Sequence, residues 1–179
     1  MSWLAKRDHF QKMACGIDPA IRIYSKNNAY WRAYSKLPWL GDSFLTQTAT
    51  VIGPLHWYPE NWDDISKDLH HEGRHTQQQR WIGLGIHPWV GFMPFAVLSV
   101  VALPVLITVR FWLELDAEAF ALRYKYRTGS NVAYIRYALV EFADTLSGPD
   151  YVWAWPKNWA LRIAGRKAVK MLRAEGADV

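Results

Sequence analysis

The stretch that decides the fold is "HHEGRHTQQQRW", residues 70–81, which carries two histidines four residues apart. It follows "ENWDDISKD", in which Asp64 or Ser66 can cap the N-terminus of a helix. The sequence therefore predicts a helix that begins there and continues through the quoted stretch. On a helix, a spacing of four residues places the imidazoles of His71 and His75 on one face, one turn apart.

Two imidazoles in this arrangement can hold one zinc ion. Glu72 directly follows the first of them, so its carboxylate lies beside such an ion, where it can accept a proton from water. The only cysteine is Cys15, which excludes a zinc cluster built on thiolates. A catalytic zinc takes three protein ligands and keeps one position open. A third ligand is therefore expected from a histidine, aspartate or glutamate elsewhere in the chain.

The third ligand is expected from a later helix. In "HEGRHTQQQRWIGLG" no third histidine follows at the spacing that metzincins use, which leaves a carboxylate. The segment "ELDAEAFA" offers Glu114 and Glu118 at helical spacing on one face, with Asp116 between them. The residues themselves leave these candidates open.

Together the two motifs resemble those of the gluzincins, zinc peptidases with two helix histidines and a downstream glutamate. Residues 43–125 are similar to minimal gluzincins and to small phage-encoded and bacterial metallopeptidase-like proteins. The resemblance implies peptide-bond hydrolysis with Glu72 as general base. It also implies that Glu114 is the third zinc ligand and that Glu118, in place of the usual aspartate, orients a histidine. Because this position differs from the family pattern, Glu118 and Asp116 stay alternative ligands.

Other polar residues near the motif have a structural interpretation. On a helix His70 points about 100° away from its neighbour His71. Residues Gln77–Gln79 are interpreted as a polar helix face, from which Gln78 or Gln79 can reach a zinc-binding histidine. His56 and His87 are interpreted as structural residues rather than catalytic ones.

A protein or peptide substrate needs a binding surface, and "SFLTQTATVIGPLHWYP" suggests one. Its alternating threonines predict a strand over residues 43–51, a turn at Gly53 and Pro54, and a second strand over residues 56–58. The first strand is expected to hold an extended peptide by β-augmentation. Tyr151, in a later loop, is a candidate for stabilising an oxyanion.

Residues 82–109 contain no acidic or basic side chain apart from His87. The run is long enough to cross a bilayer, but one crossing would separate the predicted metal ligands by roughly 30 Å. We therefore expect residues 88–109 to form a buried hairpin that bends at Pro94 and Pro104. Membrane contact, including a re-entrant loop, is the less favoured alternative.

The remaining segments predict helices. These are "FWLELDAEAFALRYKY", "NVAYIRYALVEFADTL" capped by Ser130, and a basic segment near the carboxyl end. With one small strand pair, the fold class is α+β and mostly helical. The 179 residues contain no internal repeat, which predicts a single domain. Its parts are an N-terminal helical segment (1–42), a zincin-like core (43–125) and C-terminal helices (126–179).

The composition and the amino terminus indicate which partners and which cellular location to expect. The amino terminus has no apolar signal-peptide core, so an intracellular or particle-associated protein is expected. The net charge is +5, but no nucleic-acid motif accompanies the basic segment, so no specific nucleic-acid partner is expected. Eleven tryptophans predict extensive protein contacts. The alternative function is therefore a structural or assembly component of a larger particle, such as a phage virion, in which zinc stabilises the fold.

Overall fold

The structure is a computed structural model that describes residues 3–36, 43–100, 105–147 and 156–177. It is α+β and mostly helical, as the sequence predicts, and it contains a small three-stranded sheet. The chain divides into two compact units, residues 1–100 and 101–179. That the whole chain forms a single domain stays a prediction.

The first unit contains the sheet and the helices that precede, connect and follow its strands in the sequence. Its helices and strands are α1 (Trp3–Ile17), β1 (Arg22–Ser25), α2 (Ala29–Tyr34), α3 (Ser43–Thr46), β2 (Thr50–Ile52), β3 (Leu55–Tyr58), α4 (Ser66–Ile82) and α5 (Pro88–Val100).

The sheet has the strand order β1-β3-β2. Strands β2 and β3 form an antiparallel hairpin in which Ile52 lies opposite Leu55. Gly53 and Pro54 make the turn, and Gly53 adopts a left-handed φ of 59°, which glycine tolerates without strain. Strand β1 pairs in parallel with β3 from Arg22 opposite Leu55 onward. The description of residues 1–42 as a helical segment did not include β1, because four residues carry too little pattern to reveal a parallel partner far along the chain.

The predicted strand over residues 43–51 is also wrong in its first part. Residues 43–46 form the short helix α3, and β2 begins only at Thr50. The reason lies in the partner strand. Thr50 pairs with Trp57, and β3 ends one residue later at Tyr58, before Pro59, which has no N–H to extend the ladder. The turn and the second predicted strand are confirmed.

The core of the first unit lies between α1, the sheet and the first turn of α4. Phe10 and Ala14 lie one turn apart on α1 and contribute its buried face. The buried cluster consists of Phe10, Ala14, Ile21, Ile23, Tyr58, Ile65 and Leu69. The start of the histidine-bearing helix is therefore anchored in this core.

Helix α4 confirms the predicted helix over the histidine motif. The predicted cap at Asp64 or Ser66 is wrong, although Asp64, just before the helix, accepts a hydrogen bond of 2.8 Å at its Oδ1 from the backbone N–H of Ser66. Ile65 occupies the capping position itself and its side chain is buried in the core. This arrangement satisfies one of the backbone donors that the first turn leaves without a helical partner.

Helix α5 contains Pro94 in its interior, so the chain does not turn back on itself at this proline as predicted. A proline removes only one hydrogen bond of the helical ladder, and the residues on either side keep the helix continuous. The predicted bend at Pro104 lies outside the described residues. Among the described helices, none combines the length and the apolar character that a bilayer crossing requires.

The second unit consists of α6 (Val105–Arg127), α7 (Val132–Leu146) and α8 (Lys157–Ala174). All three predicted helices are confirmed, and α6 begins earlier than expected. The cap of α7 is Asn131 rather than Ser130, because the Asn131 backbone is extended and its side chain accepts from the N–H of Tyr134 at 2.9 Å. The loop that contains Tyr151 lies outside the described residues. The buried core includes Phe111, Leu115, Leu122, Ile135, Leu139, Phe142, Leu146 and Leu172.

Candidate metal centre

Helix α4 presents the two motif histidines side by side. The ring centroids of His71 and His75 are 5.0 Å apart and the rings stand nearly perpendicular to each other. His75 is buried and His71 is half-buried. The one-turn spacing that the sequence predicts is therefore expressed as a close pair of imidazoles.

The opposite face of α4 is fixed against α1. Gly73 lies two residues from each histidine, about 200° around the helix. A Cβ atom at Gly73 would come within 2.9 Å of Ile17, so the glycine allows the two helices to pack closely. Gln77 adds a hydrogen bond of 2.6 Å from its Nε2 to the Ile17 carbonyl. The packing on this face leaves the histidine pair on the other.

An ion pair holds the second half of the same helix. The guanidinium of Arg80 donates two hydrogen bonds, of 2.7 and 2.8 Å, to the two carboxylate oxygens of Asp18. Burial raises the pKa of Asp18, but the hydrogen bonds from Arg80 and from the Ala20 N–H outweigh it, so the pKa lies below its usual value. This pair was not predicted from the sequence, because its members lie 62 residues apart and no local pattern connects them.

The orientation of His75 is set by Gln78. Their Nδ1 and Oε1 atoms are 2.8 Å apart, and the amide oxygen can only accept. Nδ1 therefore carries the hydrogen, and Nε2 presents its lone pair, which is the form of histidine that binds a metal. From the sequence, Gln78 is one of two glutamines that can reach a histidine, and only the structure selects it.

His71, His75 and Glu114 form a group that could hold a metal ion. One nitrogen from each histidine and one carboxylate oxygen of Glu114 all lie within 4.8 Å of one another. Zinc bonds of about 2.0–2.2 Å place the ligand atoms of a tetrahedral site roughly 3.3–3.6 Å apart, which lies inside the 4.8 Å limit of this group. Two histidines and a glutamate form the donor set of a known class of catalytic zinc sites. The residues present therefore fit the ion.

The alternative carboxylates do not belong to this group among the described residues. On α8, Lys167 Nζ lies 3.2 Å from Asp116 Oδ1, so Asp116 takes part in an ion pair within the second unit. Glu118 is almost completely buried. The assignment of Glu114 as ligand and of Glu118 as the residue that orients a histidine stays a prediction.

Glu72 is half-buried on α4, between the two histidines in sequence. Burial is the main cause that raises the pKa of Tyr58 well above its usual value, and the negative charge of Glu72 adds to it. The negative charge of Glu72 therefore affects the ionisation of Tyr58, the last residue of β3. Its role as a general base stays a prediction.

Behind the motif, β3 contacts α4 through a buried polar pair. His56 Nε2 lies 3.0 Å from Thr76 Oγ1, and both side chains are fully buried. Burial, with a smaller contribution from the charge of His75, lowers the pKa of His56 to about 3, so this ring is neutral at physiological pH. The interpretation of His56 as a structural residue agrees with these contacts.

His70 and His87 have local contacts of their own. His70 Nδ1 lies 2.7 Å from the Ser66 carbonyl, one turn earlier on the helix. His87 Nδ1 lies 3.3 Å from the backbone nitrogen of Trp89, in the first turn of α5. Neither belongs to the candidate metal group among the described residues.

Comparison of the chain with protein-family models, with curated proteins and with solved structures gave no match. The resemblance to gluzincins therefore rests on the motif residues alone, and membership of that family stays a prediction.

Proposed function

We propose that this protein is a zinc-dependent peptidase of the gluzincin type. The observation that carries the proposal is the group formed by His71, His75 and Glu114, whose potential ligand atoms lie within 4.8 Å of one another. In this proposal these three residues hold one zinc ion and leave a fourth position open. When bound, zinc polarises the scissile carbonyl and lowers the pKa of water.

The chain supplies the rest of the proposed chemistry. Glu72 accepts the proton of the attacking water and passes it to the leaving amine. Gln78 keeps His75 in the tautomer that binds through Nε2. Strand β2 is at the edge of the sheet, so the backbone of Thr50–Ile52 can pair with an extended substrate. The substrate class is therefore an unfolded or extended peptide.

The first experiment measures zinc in protein purified without chelator. Wild type should contain about one zinc per chain, and His75→Ala should lose it. His70→Ala is the matched control, because His70 neighbours the motif on the same helix and its Nδ1 contacts the backbone of its own helix one turn earlier. If His75→Ala keeps its zinc, the metal centre lies elsewhere and the proposal is wrong.

The second experiment separates catalysis from metal binding. Glu72→Gln should keep the zinc and lose cleavage of a panel of unfolded proteins, because glutamine has a similar shape but cannot accept the proton. If wild type holds zinc but cleaves none of the panel at any rate above that of Glu72→Gln, the enzyme proposal fails. The assembly role, in which zinc stabilises the fold and exposed tryptophans contact neighbours, then replaces it.

A further inference from the structure

The corner between α4 and α5, residues 81–93, exposes large apolar side chains. For each of six residues, between 42% and 87% of the surface is accessible: Trp81, Leu84, Ile86, Trp89, Val90 and Met93. The corner contains no acidic or basic side chain apart from half-buried His87. Large apolar side chains that are exposed together within one short segment are typical of a site of contact with a partner or a membrane.

Leu84 is held in a strained conformation at the tip of this corner. Its φ is +57°, in the left-handed region that disfavours side chains with a Cβ, and 87% of its surface is exposed. Glycine or asparagine would adopt this backbone with less strain. Because the side chain of Leu84 is not buried, no hydrophobic burial offsets the backbone strain at this residue. Strain that the fold does not need points to a function at this position.

The backbone of the corner is held rigidly. Gly91 in α5 approaches the end of α4 so closely that a Cβ atom there would lie 1.7 Å from the carbonyl oxygen of Gln79. The Gly85 N–H donates to the Arg80 carbonyl at 2.8 Å, and the Arg80 guanidinium donates to the Ile86 carbonyl at 3.1 Å. The exposed side chains therefore project from a preorganised support, which lowers the entropic cost of binding.

We propose that the corner inserts into the outer layer of a lipid bilayer. A protein interface is normally rimmed by polar groups that pair across it, whereas the exposed side chains here offer only the indole N–H groups of Trp81 and Trp89. Indoles favour the boundary between lipid headgroups and acyl chains. The guanidinium of Arg74 lies 5.1 Å from the Trp81 ring centroid, which places a cation beside the indole, where lipid phosphates would meet it.

The test is flotation of the full chain with vesicles of phosphatidylcholine, with and without phosphatidylglycerol. Wild type should bind, and Leu84→Glu combined with Ile86→Glu should lower the partition coefficient by on the order of a hundredfold, since each apolar side chain removed from the lipid contributes about tenfold. Leu84→Asn should fold at least as well as wild type, because asparagine tolerates the left-handed backbone, and should bind about tenfold more weakly. Leu4→Glu, which alters an exposed leucine on α1, should bind like wild type.

Each of four results would overturn the proposal. It is wrong if wild type binds neither vesicle, or if the double variant binds as wild type does. Binding that disappears completely in high salt would show that the basic residues hold the chain to lipid and that the corner does not insert. Self-association of wild type without lipid, measured by light scattering and abolished by the double variant, would assign the corner to a contact between copies if vesicles are not bound.

Discussion

Replacement of Gly91 by alanine should destabilise the packing of α5 on the histidine-bearing helix. The new Cβ would lie 1.7 Å from the Gln79 carbonyl oxygen and 2.7 Å from the Gly83 nitrogen. Real Cβ atoms essentially never come closer than 3.0 Å to such atoms, so the backbones must separate by about 1.3 Å, the difference between 3.0 and 1.7 Å. Neither obstacle can rotate away, because both belong to the backbone.

The magnitude follows from two opposing effects. Overpacking of a tightly packed contact costs about 1–3 kcal/mol, and a backbone obstacle belongs at the upper end of that range. Alanine recovers about 0.5–1 kcal/mol relative to glycine within a helix. We therefore expect Gly91→Ala to lower the free energy of unfolding by about 2 kcal/mol.

The measurement is urea denaturation followed by far-ultraviolet circular dichroism. Gly165→Ala is the matched control, since Gly165 lies inside α8 and no atom lies within 4 Å of its added Cβ. That variant should be more stable than wild type by about 0.5–1 kcal/mol. A urea midpoint for Gly91→Ala equal to or higher than that of wild type would refute the expectation, because the close approach of α5 to α4 would then not exist.

Three further predictions concern the residues that support the metal centre. Burial lowers the pKa of His56 to about 3, below its unfolded value of about 6.5. The free energy of unfolding should therefore fall by about 2 kcal/mol between pH 7 and pH 5. In His56→Phe the urea midpoint should change less over this pH range. Gln78→Leu should weaken zinc binding about 10- to 100-fold in a competition titration with a chelator, and an unchanged affinity would mean that Gln78 does not orient His75. Asp18→Asn should destabilise the protein by about 1–3 kcal/mol at pH 7, because it removes the negative charge and one of the two oxygens that accept from Arg80. Equal thermal midpoints for the variant and wild type would contradict this.

Much of the histidine-bearing helix could be predicted from the sequence, because its signals are local. The polar segment before the helix and the four-residue spacing of His71 and His75 act within a few turns of one helix. The same holds for α6, where runs of strong helix formers predict the helix that carries Glu114. The mostly helical α+β class follows from these local patterns together.

Other features depend on residues that are distant in sequence. Residues Arg22–Ser25 form a strand only because they pair with β3. The start of β2 at Thr50 is set by the residue at which β3 ends. The prediction of a strand from residue 43 failed because alternation describes one strand but not the length of its partner. Pro94 lies inside α5 because neighbouring hydrogen bonds can maintain a helix across one missing donor.

For the candidate site, the sequence determined which residue types could bind a metal and on which helical face two of them stand. The tertiary structure alone decided that Gly73 packs α4 against Ile17 and that Arg80 pairs with Asp18. Helical spacing follows from backbone geometry that every residue of a helix shares. A side-chain partner depends instead on which surfaces pack together, and that is settled only when segments far apart in the chain compete for the same space.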